Sequence, residues 1–210
     1  MMGAMPTRSA PTGLIVCLDD VGLDHLVGAV EVMIQEGLTT FSLCATDQEQ
    51  DEIVAIFGPR AQFGLHGALD ADGLLAARAW ARFALLDVVD DDVLAAGRET
   101  EIPVFAQAMT PTEVREVLAR GADGALLFPA DVVGHVMAER LASLKLADAV
   151  IPRGGIGAFS ATEWMKAGAS AACVDSTLLG DALRGGDLGL LRDRCGSFAK
   201  VNRQKRPRAK

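Results

Sequence analysis

Gly121-Ala122-Asp123-Gly124-Ala125-Leu126-Leu127-Phe128-Pro129-Ala130-Asp131 is the stretch on which the fold turns. Its centre is an uninterrupted apolar run, 125–128, with glycine in front and proline behind. A short apolar run between turn signals reads as a strand buried on both faces, the kind a parallel sheet uses. Pro129 lacks the N–H that a ladder needs, so the strand stops there. Residues 133–144 then carry apolar side chains at helical spacing, which makes strand plus helix half of a βαβ unit.

The same unit repeats on both sides. Apolar runs at 13–18, 39–44, 62–66, 82–86 and 102–106 come before it, and runs at 149–152 and 171–174 follow, each with a helical stretch after it. In the first helix, expected over 23–35, Leu26, Val30, Met33 and Ile34 share a face, and Gly37 ends it. Thr110-Pro111-Thr112-Glu113 has the N-cap, N1 proline and N3 acid of a capping box. Ser160 with Glu163 suggests a second one. Helices are expected at 71–80 and 188–198 as well. Eight strand–helix pairs suit a single compact (β/α)8 TIM barrel of the α/β class. An open doubly wound sheet calls for a Gly-rich first turn, and Leu18-Asp19-Asp20-Val21-Gly22 is not one. The expected organisation is a disordered segment at 1–12, a barrel at 13–199 and a basic, disordered tail at 200–210.

Composition narrows the class. Half of the 210 residues are apolar, enough for one full core, and no run approaches the ~20 apolar residues of a membrane helix. The N-terminus lacks the apolar centre of a signal peptide, and the four cysteines show no CxxC spacing. A cytoplasmic protein with reduced thiols is the expectation; Cys17, Cys44 and Cys173 read as small buried hydrophobes, Trp80 and Trp164 as packing residues. Net charge is −8, although Lys200, Arg203, Lys205, Arg206, Arg208 and Lys210 make the last stretch basic. So acidic a body argues against nucleic acid as a partner, apart from a weak contact through that tail.

Three pieces carry a resemblance to a known family: Ile102-Pro103 with Thr110-Pro111-Thr112-Glu113-Val114; Phe128-Pro129-Ala130; and Pro152-Arg153-Gly154-Gly155-Ile156. With Gly168 and 173–179 they resemble, in order and spacing, the 2-keto-3-deoxy-6-phosphogluconate and 4-hydroxy-2-oxoglutarate aldolases. The resemblance covers about 12–179. It implies a TIM barrel, a homotrimer, a small anionic keto acid or sugar phosphate as substrate, no cofactor, and an imine formed by a lysine before Phe-Phe-Pro-Ala.

The departures fall on the chemistry. Leu126 stands at the lysine position, Ser42 at that of the proton-shuttling glutamate, and Thr46 at that of the carboxylate-gripping arginine. Gly67 replaces a threonine, and Ala106-Gln107 a Pro-Gly pair. Of the five lysines, Lys145 and Lys166 fall on a connection and a helix, and Lys200, Lys205 and Lys210 on the tail. Imine chemistry is therefore not expected.

Barrel enzymes work at the C-terminal ends of their strands. Here those ends carry Asp19, Asp20, Thr46, Asp47, His66, Asp87, Gln107, Asp131, Arg153, Asp175 and Ser176. Arg153, Gly154, Gly155 and Ser176 form the candidate phosphate or anion site, since glycines let backbone N–H groups approach an anion. His66, Asp87 and Gln107 are the candidate catalytic residues. Asp19, His66, Asp87 and Asp131 are an alternative set for Mg²⁺ or Mn²⁺ in a metal-dependent lyase or isomerase. Opposed to both stands a non-catalytic descendant that binds an anion or serves as an oligomeric scaffold.

Overall fold

The computed structural model describes residues 10–204. The strands are β1 (Gly13–Cys17), β2 (Thr40–Cys44), β3 (Gln62–Gly67), β4 (Ala81–Leu86), β5 (Val104–Ala108), β6 (Gly124–Leu127), β7 (Val150–Pro152) and β8 (Ala171–Val174). The helices are α1 (Leu23–Gln35), α2 (Gln50–Phe57), α3 (Ala71–Ala76), α4 (Asp91–Thr100), α5 (Pro111–Ala119), α6 (Ala130–Val133), α7 (Val136–Ser143), α8 (Ala158–Ala167), α9 (Ser176–Leu179) and α10 (Leu188–Gln204). All ladders are parallel, in the order β7-β6-β5-β4-β3-β2-β1-β8. Strands β7 and β8 lie against each other at the seam without a ladder. The result is the (β/α)8 barrel, closed but for that seam.

Strand periodicity splits the core in two. Outward residues such as Val16, Phe41, Leu43, Leu65, Ala84, Leu127 and Val174 pack under the helices. Inward residues Ile15, Cys17, Phe83, Leu85, Phe105, Leu126, Ile151, Ala171 and Cys173 fill the barrel, with Ala10 against them. Two rings claim most of that interior, and glycines make room for them. A Cβ on Gly64 would lie 2.5 Å from the Phe83 ring, and one on Gly124 would lie 2.7 Å from Phe105. Phe83 turns inward at a bulge: Phe63 pairs with Ala81 but Leu65 with Ala84, so β4 carries one residue more than β3 there.

Local signals explain most boundaries. Thr110 and Glu113 form the capping box, with Pro111 at N1. Asp90 caps α4 through Asp92 and Val93 N–H. Several boundaries differ from the sequence expectation. The helix expected at 133–144 starts only at Val136, because Gly134 at φ 67° separates it from the short α6 before it. Ser160 does not cap α8: the turn through Gly154 and Gly155 brings the helix start forward to Ala158, with Gly157 at the N-cap. The helix expected at 71–80 ends at Ala76 and tightens into a 3₁₀ turn over Ala77–Ala79. Helix α10 continues through Lys200 to Gln204, into the segment expected as tail. Residues 1–9 and 205–210, where the rest of the expected terminal segments fall, lie outside the described residues. Among the described residues no helix is long and apolar enough to cross a membrane.

Candidate functional site

The barrel mouth is built by inward residues at the strand ends. Leu126 on β6 is fully buried among the interior apolar side chains, its ladder partners Gln107 and Ile151. Ser42 on β2 and His66 on β3 are also buried, and Ser42 Oγ lies 2.9 Å from His66 Nδ1. Burial, then the nearby Arg153 charge, holds the His66 imidazole down to a pKa of about 3. It is neutral across the physiological range.

Arg153 is the one expected anion-binding side chain that reaches into the mouth. It follows β7, and its side chain is 16% exposed. Its Nη1 donates to Asp87 Oδ1 at 3.1 Å, so two residues expected in different roles are one ion pair. Burial alone would lower the Arg153 pKa, but the surrounding acidic groups, the Asp87 and Asp175 carboxylates among them, more than offset it. Gln107 is half-buried next to Leu126 in the β5–β6 ladder.

The turn after β7 is more crowded than its sequence suggests. The carbonyls of Arg153 and Gly154 accept from Ala130 and Asp131 N–H at 2.8 and 3.1 Å. A Cβ on Gly155 would lie 2.7 Å from the Asp131 carboxylate, so that carboxylate sits directly on the turn. Ser176 is exposed, with Asp175 Oδ1 3.5 Å from its hydroxyl. Thus Gly155 and Ser176 each lie beside a carboxylate, Asp131 and Asp175 respectively.

The alternative metal set is not brought together. Asp19 faces Arg184 at 3.6 Å, Asp87 holds Arg153, and Asp131 packs on Gly155. Among the described residues no three His, Cys, Asp or Glu side chains are placed to hold a metal. Asp19, His66, Asp87 and Asp131 form no such group. Thr46 bonds Asp20 at 3.1 Å on the rim and does not reach the mouth.

One feature escaped the sequence reading, the buried Ser42–His66 pair; Ser42 stood out only as a missing glutamate. Cys17 and Cys173, expected as small buried hydrophobes on neighbouring strands, are buried and face the interior, whereas Cys44 is only half-buried. Outside the mouth, a cleft of about 220 Å³ lies between the β2–α2 loop, α3 and Trp80, lined by Asp47, Asp51 and Leu69.

A family model for KDPG and KHG aldolases matches residues 10–191. The chain belongs to the KDPG and KHG aldolase family. Solved structures agree on the fold. A native KDPGal structure is 20% identical, with a TM-score of 0.79, covering 93% of this chain and 97% of that one. A KDPG aldolase from Legionella pneumophila, with pyruvate captured as a covalent carbinolamine, is 18% identical, with a TM-score of 0.72 and coverage of 89% and 94%. The Zymomonas mobilis ZM4 aldolase with 3-phosphoglycerate is 16% identical, with a TM-score of 0.73 and coverage of 90% and 92%. No curated protein matches the chain.

The neutral His66 has a measurable consequence in this aldolase-family barrel. The unfolded chain protonates this imidazole below about pH 6.5, whereas the folded chain holds out to about pH 3. Between those values the unfolded state binds the extra proton, so stability falls with acid by roughly 1.4 kcal/mol per pH unit from this group. In urea titrations at pH 4 to 6, His66→Gln should reduce the slope of stability against pH by about one proton. An unchanged slope would mean that the folded imidazole is protonated.

Proposed function

We propose that this aldolase-family barrel binds a small carboxylate-bearing molecule, such as a 2-oxo acid, at Arg153 without forming an imine. The observation that carries the reading is the Arg153 guanidinium, held in a half-closed mouth with one hydrogen bond to Asp87. A guanidinium has five donors in a fork that matches a carboxylate, so most of its capacity remains for a ligand. Leu126, sealed in the barrel wall at the lysine position, supports the second half. Relatives in the family carry pyruvate or 3-phosphoglycerate. Asp131 against Gly155 and Asp175 near Arg153 favour the carboxylate over a doubly charged phosphate here. The exposed Val132, Val136 and Phe159 fit the homotrimer that the family implies.

Calorimetric titration with pyruvate and with inorganic phosphate tests this. Pyruvate should bind, and Arg153→Gln should weaken it at least about tenfold, because charge-assisted bonds contribute roughly 1.5–3 kcal/mol. Asp87→Asn, which removes the competing carboxylate, should tighten it. The reading fails if pyruvate does not bind, or binds Arg153→Gln equally well.

A further inference from the structure

Among the described residues Asp47 is the one buried carboxylate, and it lines the cleft outside the mouth. That cleft encloses about 220 Å³ between the β2–α2 loop, α3 and Trp80. Asp47 is 6% exposed. Its Oδ1 accepts from Glu49 N–H at 2.8 Å, a bond within the loop that leaves the negative charge without a cation. Among the described residues no lysine, arginine or histidine pairs with Asp47, or with Asp51 on the same lining. Arg60, just after α2, is held by Glu31 at 2.8 and 3.0 Å, and Arg78 does not line the cleft. Burial pushes the Asp47 carboxyl up, and the charges of Asp20 and Glu49 push the same way against the Glu49 N–H bond.

A buried carboxylate is costly unless a cation meets it. Trp80 supplies the second half of a cation site. Its Nε1 donates to Asp51 Oδ1 at 3.1 Å, which ties the indole to a second carboxylate of the cleft. The face of an indole attracts an organic cation. Leu65 and Leu69 add apolar lining that suits an aliphatic stem. At roughly 30 Å³ for each water, the space holds about seven waters, so its ligand is small. A metal ion is the poorer occupant, since among the described residues no three His, Cys, Asp or Glu side chains are placed to hold one.

We propose that this cleft binds a small alkylammonium, a primary amine on a short aliphatic stem. The charge sits at Asp47, and the stem lies along Trp80, Leu65 and Leu69. The site is outside the barrel mouth, and the proposal does not depend on the anion reading above.

Calorimetric titration of the full chain at fixed ionic strength tests it. The probes are pentylamine, pentanol and magnesium chloride, with acetyl-lysine amide standing for a lysyl side chain of another protein. Pentylamine should bind at one site. Pentanol has the same stem without the charge and should bind at least about tenfold more weakly, as should pentylamine to Asp47→Asn. Asparagine keeps the Oδ1 acceptor for Glu49 N–H, so this variant removes the charge and preserves the loop. Trp80→Leu should weaken pentylamine about threefold. Tighter binding of acetyl-lysine amide than of pentylamine would make the occupant a lysyl side chain, and the reverse order a free amine. The proposal is overturned if neither amine binds, if pentylamine binding ignores Asp47→Asn or Trp80→Leu, or if magnesium gives an equal response. If Asp47→Asn does not fold, the comparison of pentylamine with pentanol on the wild type decides.

Discussion

Borohydride added with pyruvate should leave every lysine of this chain without a reduced adduct. An imine needs a neutral amine, and an ordinary lysine at pH 7 supplies it in only about one molecule in two thousand. Enzymes overcome this by burying the amine. Here Lys145 and Lys200 are exposed, and Lys166 is exposed and paired with Glu163 at 2.8 Å. Lys205 and Lys210 lie outside the described residues. Leu126→Lys reverses the situation: the new amine would replace a side chain with no exposure. Burial that drives its pKa from about 10.4 to about 6 would cost roughly 5 kcal/mol of stability at pH 7 and leave the amine neutral. That variant, if stabilised enough to fold, should gain an adduct at position 126. Leu126→Met should gain neither the adduct nor the instability. A wild-type adduct on any lysine would overturn the claim that imine chemistry is lost.

How far the sequence reached depends on the range of each interaction. Strand existence was legible, because an apolar run such as 125–128 followed by Pro129 is a local signal. The Thr110–Glu113 box was legible for the same reason. Gly134 was not: the apolar spacing continues across 133–144, and only the backbone shows that glycine breaking the helix. At the site, Leu126 and Arg153 were placed by strand order alone. The Arg153–Asp87 pair spans 66 residues and two nonadjacent strands, so nothing local could reveal it. The Ser42–His66 pair depends on β2 and β3 being side by side with fixed register. That register belongs to the closed barrel rather than to any one strand.

Gly64→Ala should cost more than about 3 kcal/mol in urea unfolding. An added Cβ would lie 2.5 Å from the Phe83 ring and 2.6 Å from the Phe83 carbonyl oxygen. Real Cβ contacts are not that short, so something must move. The ring alone could swing only into a barrel already filled by Leu85, Phe105 and Leu126. Overpacking of that kind costs about 1–3 kcal/mol. The carbonyl cannot swing, because β4 is held by ladders to β3 and β5 on either side of Phe83. Phe83→Ala separates the two terms. By itself it should cost about 3–5 kcal/mol for the emptied interior. In the double variant the ring clash vanishes and the carbonyl clash stays. The two changes touch each other, so their costs should add to less than their sum, by about the ring term. Full additivity would mean that the ring never opposed the methyl, and that Gly64 is required by the bulged β4 backbone alone.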